Sequence, residues 1–475
     1  LIKRLNGLKE QIASLLFNMS EDELDDFVDG LSFPTVEMIK YINDSISEKY
    51  AFDMQAILLG RNFEEIKQNV HQIYRRQKDN RYTNFYKNFR YFYNTCKELS
   101  VINCINFANH FIKNCQVITI TSFNTDQAIN IFNSLNGTGV PLTPIEVIVS
   151  KTTASATDRK TFENNWQEIV EWADKSNLDL NTLMTHYIFT KLSQQNGTDR
   201  RNPGIRAFFN KNKELLNDDV VFTDDLKKIL HTYLLTSETS IGRVVSQLNG
   251  NLRPFVSSYL FFRDDKRYIE YLMRIGILIE LSELSYSHGL FKGFLEEINL
   301  LYSQVDTFST ESLIDKVREH IRLNFEYENV KQTLLESGVS NALIYVNEYL
   351  FATEHGINLK LDGNIDIEHI MPKSGINREH IMHDIGVDDP DEFREYAEKL
   401  GNKILLEAEI NRGIGDAWFR TKKENHISKG NGYIGSKFPI AQSLVTYTKD
   451  TWTKEDIDLA TEKAAKRIAD FVFEL

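Results

Sequence analysis

Only 8 prolines interrupt the 475 residues of this chain. Proline removes a backbone donor and clashes with the preceding turn, so its scarcity permits long unbroken helices. The runs between breaks are rich in Leu, Ile, Phe, Lys and Glu, and strand-like alternation is rare before residue 355. A mainly α-helical chain is expected. Breaks are expected at QQNGTDRRNPG (Gln194–Gly204), LNGNLRP (Leu248–Pro254) and YSHGL (Tyr286–Leu290). Tyr268–Leu284 is strongly apolar and is expected at the centre of a helical core. Ser20–Phe27 reads as a helix start, with a Ser cap and an acidic first turn. Thr143-Pro-Ile-Glu146 reads as another, with Thr as cap, Pro at the first position and Glu at the third. Cys115–Phe123, β-branched and followed by a polar turn, is the strand candidate of this first part.

A chain of this length has room for two to four domains with their own cores. Leu1 rather than Met stands first, as in a fragment or trimmed chain, and no signal-peptide pattern follows it. No apolar run reaches the roughly eighteen residues of a membrane span, so no membrane partner is expected. Cys96, Cys104 and Cys115 are odd in number and fit no zinc spacing, which suits free thiols in a reducing cytoplasm. The net charge of −13 argues against a nucleic-acid coat protein, but local patches oppose it. Tyr74–Tyr93 carries Arg75, Arg76, Lys78, Arg81, Lys87 and Arg90 against Asp79. Trp418–Lys437 carries Arg420, Lys422, Lys423, Lys429 and Lys437 against Glu424. Phosphate binding needs local positive charge of this kind; a solvated helix face is the plain alternative for each.

After Glu354 glycines become frequent and alternation begins, which places a domain boundary near 355. In DIEHIMPKSGINREHIMHD (Asp366–Asp384) the word EHIM occurs twice. Gly363-Asn364 makes a turn, Ile365–Met371 alternates as a strand, and Pro372 ends it. His369 falls at the strand end on the side of Ile367, where a distortion near Pro372 would be needed to free it. His380 and His383 sit three apart on one face of a short helix, between Asn377 as cap and Gly386 as stop; no third ligand is nearby, and the second EHIM reads as coincidence. Further on, LGNKILLEAEINRGIGDAWF opens a strand at Asn402, continues it through Lys403–Leu406, and places Asn411 in a turn before a basic helix capped by Asp416. GNGYIG (Gly430–Gly435) fits the G-x-G-x-x-G spelling but opens no helix after a strand, so it is no dinucleotide site.

The segment IEHIMP…LGNKILLEAEINRGIGDAWF resembles the HNH, or ββα-metal, nuclease core. The whole C-terminal part is similar to the HNH-like domain of GmrSD-type, modification-dependent restriction endonucleases, with Trp452–Ile457 fitting that family's closing helix. AINIFNSLNGTGVPLTPIEVIVSK resembles part of the partner ParB-like domain, whose DGQQR signature does not occur in these 475 residues; it either lies upstream of Leu1 or is lacking. The resemblance implies a mainly α body with a C-terminal α+β domain containing the nuclease core. It divides the chain into a helical remainder of the DGQQR domain (1–154), a helical middle domain (155–355) and a nuclease domain (356–475). It implies a divalent-metal-dependent endonuclease of an antiphage restriction system, acting in the cytoplasm on double-stranded, modified or foreign DNA, alone, as a homo-oligomer or with a companion subunit. The alternative is a regulated binding protein with a silent HNH unit. His369 is then the general base, Asn402 orients the histidine segment, and Glu368 and Asn411 hold Mg²⁺ or Mn²⁺, with Asp366 behind them. Arg412, Arg420, Lys422 and Lys423 are implied to meet DNA phosphates. The chemistry is coherent: imidazole has a pKa of about 6.5 and can take a proton from water at pH 7, and hard oxygen donors suit the cation.

Overall fold

The computed structural model describes residues 48–59, 63–70, 82–100, scattered positions between 103 and 131, and 142–195, 200–375, 378–424 and 432–475. The Ser20–Phe27 start, Cys104, most of Cys115–Phe123, Asn377, Lys429 and the first two residues of GNGYIG lie outside these residues, as do Arg75, Arg76, Lys78 and Arg81. The described residues are mainly helical, with one two-stranded sheet, and none of their helices is long and apolar enough to cross a membrane. Cys96 is buried and Cys115 exposed.

The chain divides into two compact units, Leu1–Leu178 with Lys213–Thr223, and Asp179–Asn212 with Asp224–Leu475. In the first, helices Phe63–Asn69 and Asn84–Glu98 bury Ile66, Val70 and Tyr86 together, with Ala56, Ile57, Tyr82 and Phe89 against them. Helix Pro144–Ser155 starts as its sequence requires. Thr143 Oγ1 accepts from Glu146 N at 3.2 Å, and Thr143 N donates back to Glu146 Oε2 at 2.7 Å, which satisfies two orphan donors reciprocally.

The second unit is built around helix Arg267–Leu281, of which Tyr268–Ile279 is almost wholly buried. Helix Leu180–Gln194 is buried nearly all round and packs on helix Arg253–Phe262. Its His186 is sealed from solvent. Nδ1 meets Ser257 Oγ at 2.8 Å, and Nε2 has no partner. Burial, reinforced by the Arg253 charge and opposed by Asp179, lowers this imidazole to about 3. Between pH 6.5 and 3 the unfolded chain therefore binds a proton that the folded chain refuses. Stability is full above the unfolded pKa and falls as pH drops through that window, at roughly 1.4 kcal/mol per pH unit for one proton. His186→Gln is expected to flatten the acid limb of a stability-against-pH curve measured by urea unfolding. An unchanged slope below pH 6 would remove His186 as its source.

Near the C-terminus β1 (Ile365–His369) pairs antiparallel with β2 (Lys403–Glu407), in the register Ile365↔Glu407 through His369↔Lys403. The connection between them is long and carries helices Arg378–Ile385 and Pro390–Glu398. Helix Ala408–Ile414 follows β2 directly, and Gly415, at φ 51°, stops it. Asn411 thus lies in a helix, not in the expected turn. β1 ends at His369, not at Met371: Ile370 N still donates to Asn402 O at 2.9 Å, but Asn402 N turns to Lys399 O at 3.0 Å, so the ladder stops there. The closing helix Lys454–Phe473 starts with a Thr453–Asp456 capping box and packs on the Leu400–Asn402 turn. Gly401 is needed there. A Cβ would stand 2.3 Å from Thr461 N and 2.5 Å from Ile457 O.

Candidate functional site

Strand alternation decides what meets what around the sheet. Asp366 and Glu368 fall on one face of β1, and Ile367 and His369 on the other. The cross-strand neighbour of His369 is Lys403.

Asn402 is fully buried and holds the segment after the histidine from both sides. Its Oδ1 accepts from Met371 N at 2.8 Å, and its Nδ2 donates to Met371 O at 3.0 Å and Ala397 O at 3.1 Å. An amide satisfies a buried N–H and a buried C=O at once, which no other side chain of that length does without a change of charge. These bonds tie Asn402 to the segment that follows His369.

His369 keeps 17% of its side chain exposed, so solvent reaches the ring. Its Nε2 is sealed and lacks a hydrogen-bond partner, with Glu398 Oε1 at 3.6 Å. Burial lowers the imidazole to about 4; the Lys373 charge adds to this, Glu398 opposes it, and Lys403 and Lys422 contribute. The ring is therefore neutral at pH 7, with one nitrogen lone pair free to accept a proton. Glu398 has no signal in the sequence. It lies in the connection just before Asn402, and no spacing rule ties it to His369; the strand register does, through Lys403.

Glu368 is buried. Its Oε1 accepts from Lys422 Nζ at 2.5 Å and from Tyr433 Oη at 3.0 Å. Burial raises this carboxyl and lowers the Lys422 ammonium, each opposed by the charge of the other. Lys422 Nζ also donates to His369 O at 2.8 Å and to Ile370 O. The phosphate role expected of Lys422 is thereby corrected: helix Phe419–Glu424 turns it inward, where it braces the strand end. Lys423 is corrected likewise, since it is buried and donates to Tyr447 O at 2.9 Å and Lys449 O at 2.7 Å. Lys437 is engaged with Asp362. Of the expected phosphate contacts, Arg412 and Arg420 remain exposed, Arg420 with Asp450 at 3.7 Å. His380 and His383 are exposed on helix Arg378–Ile385, away from any cluster of ligands.

Whether the site suits a divalent cation depends on its donors. Glu368 is buried and its Oε1 is taken by a lysine and a tyrosine, so it does not fit as arranged. Asp366 and Asn411 do fit. Both are partly exposed, and Asn411 Nδ2 lies 3.5 Å from Asp366 Oδ2. Turning the amide over would present two hard oxygens to one point. Among the described residues no three His, Cys, Asp or Glu converge as a metal cage. A cation at Asp366 and Asn411 would therefore keep several waters, as Mg²⁺ commonly does.

A short antiparallel pair with a buried Asn, a partly buried His and a following helix sets this part of the chain apart from the helical bundle around it. Residues 315–467 match the family described as GmrSD restriction endonucleases, C-terminal domain. This part of the chain is similar to that family's C-terminal domain, and the match covers about a third of the chain. No curated protein and no solved structure matches the chain.

Proposed function

We propose that the protein is a DNA endonuclease of an antiphage restriction system, that β1, β2 and helix Ala408–Ile414 form an HNH-type unit within a nuclease domain of residues 356–475, and that His369 is its general base. The observation that carries the reading is the neutral His369 at the end of β1, with the following backbone fixed by Asn402. His369 takes a proton from water, the resulting hydroxide attacks the phosphorus, and the bond to the leaving oxygen breaks. Asp366 and Asn411 would hold Mg²⁺ or Mn²⁺, whose charge stabilises the phosphate and leaving oxygen. Arg412 and Arg420 hold neighbouring phosphates. The helices of residues 1–154 and 155–355 supply recognition of modified or foreign DNA. A companion subunit or second copy would add to them.

A second reading is favoured by two observations: Glu368 is closed by Lys422, and strand alternation sets His369 on the face opposite Asp366. In that reading the unit is silent and the chain binds DNA or a partner under regulation. Plasmid incubation separates the two. Nicking or cutting is expected in Mg²⁺ or Mn²⁺ and is expected to stop on chelation. Gel-shift binding by a folded chain without cleavage in any divalent metal would establish the second reading instead.

A further inference from the structure

His369 raises a question that its pairing answers. A neutral imidazole has one protonated nitrogen and one basic nitrogen, and which is which follows from the group facing each. Nε2 is sealed inside the protein without a partner, and Glu398 Oε1 lies 3.6 Å from it, a short side-chain rotation beyond hydrogen-bond reach. Catalytic hydrogen bonds are often long before substrate binds. A carboxylate there accepts only.

Glu398 is itself held. Its Oε2 takes the buried Lys403 ammonium at 2.5 Å, and Lys373 reaches Oε1 at 3.5 Å. Burial alone would raise this carboxyl, but the hydrogen bond and charge of Lys403, then His369 and Lys373, bring it below its ordinary value. Glu398 thus stays ionised with one oxygen fixed on Lys403 and the other turned to His369. Helix Pro390–Glu398 ends at this residue, and the next turn leads into Asn402, so one stretch of chain carries both groups that hold the histidine segment.

We propose that Glu398 is a positioning residue that fixes His369 in its Nε2–H tautomer and so leaves Nδ1 as the nitrogen that takes the proton from water. The catalytic half of this statement rests on the endonuclease reading; the tautomer does not.

The Lys403 contact makes the idea testable by an isosteric change. Lysine donates and never accepts. In Glu398→Gln the Lys403 ammonium claims the amide oxygen, and the amide NH₂ is turned toward His369 Nε2. A donor there stabilises the opposite tautomer, Nδ1–H. In Glu398→Gln/Lys403→Met the oxygen is released and can face Nε2 again. Full-length protein labelled with ring-¹⁵N histidine reads this at pH 7.5, with the His369 signals assigned by their loss in His369→Gln.

Wild type is expected to show a protonated Nε2 and a bare Nδ1. Glu398→Gln is expected to exchange the two, and the double variant to restore them. In plasmid cleavage the single variant is expected to lose at least tenfold in kcat with little change in KM, and the double variant to recover most of it. A wild-type Nδ1–H tautomer, or an unchanged His369 spectrum in Glu398→Gln, overturns the proposal. If no variant cuts but the tautomers follow the pattern, the positioning role stands and the endonuclease reading fails. If Glu398→Gln does not fold, wild type is compared with Lys403→Met, in which Nε2–H must persist; its loss there overturns the proposal equally.

Discussion

His369→Ala is expected to lower DNA cleavage by about 10²–10⁴-fold, the range typical for loss of a positioned general base, with the fold retained. The size of the effect follows from two features of the site. The imidazole is held near 4, far enough below neutrality that it is almost all in the basic form at pH 7. Its backbone is fixed through Ile370 and Met371 by Asn402, so the ring does not have to be oriented at the moment of reaction. The ring is partly exposed and makes no close hydrogen bond through Nε2, so truncation removes little that holds the domain together. Single-turnover nicking of supercoiled plasmid by wild type and variant, at matched DNA occupancy, measures the drop. A thermal melt shows whether both are folded. Equal rates would take the base away from His369. Loss of DNA binding in the variant would mean that the side chain acts on the substrate rather than on water.

How much of this was legible in the sequence depends on how local each signal is. The helix Arg267–Leu281 could be read, because an apolar run of that length between polar breaks has one economical solution. The Thr143 start could be read too, since a capping box is written within four residues. Asn402 was recognisable as the residue that leads into β2, and its side chain bonds Met371 and Ala397. What failed was anything decided by the inward or outward turn of a side chain. Helix Phe419–Glu424 looked like a basic surface, yet it sends Lys422 under β1 and Lys423 onto main-chain carbonyls. A lysine written next to another lysine carries no sign of which carboxylate it will meet fifty residues away. Glu368 meets the same limit. Its place before the histidine suggested a metal ligand, while its burial and its partner are set by Tyr433 and Lys422, both distant in sequence. Glu398 was invisible because strand register, not spacing, brings Lys403 and His369 to it.

The second large effect concerns that inward lysine. Lys422→Met is expected to destabilise the protein by about 3–5 kcal/mol at pH 8, the cost of leaving a buried charge without its partner. Three acceptors lose their donor at once: Glu368 Oε1, His369 O and Ile370 O. The loss has a pH signature. Burial already raises the Glu368 carboxyl, and without the lysine it is raised further. A carboxyl raised in the folded state is neutral and tolerated at low pH and disfavours folding as pH rises above its unfolded pKa of about 4.3. The variant's deficit should therefore be smallest near pH 5 and grow progressively toward pH 8 in urea unfolding. Glu368→Leu/Lys422→Met removes both charges and should recover most of the difference, since a buried ion pair replaced by apolar groups is often neutral or better. DNA binding gives an independent check. A lysine in contact with phosphate, when removed, would reduce the salt dependence of binding by about one counterion. Lys422→Met should leave that slope unchanged, because its ammonium faces Glu368 rather than solvent. A reduced slope in a fully stable variant would return Lys422 to the DNA surface and take the brace away from β1.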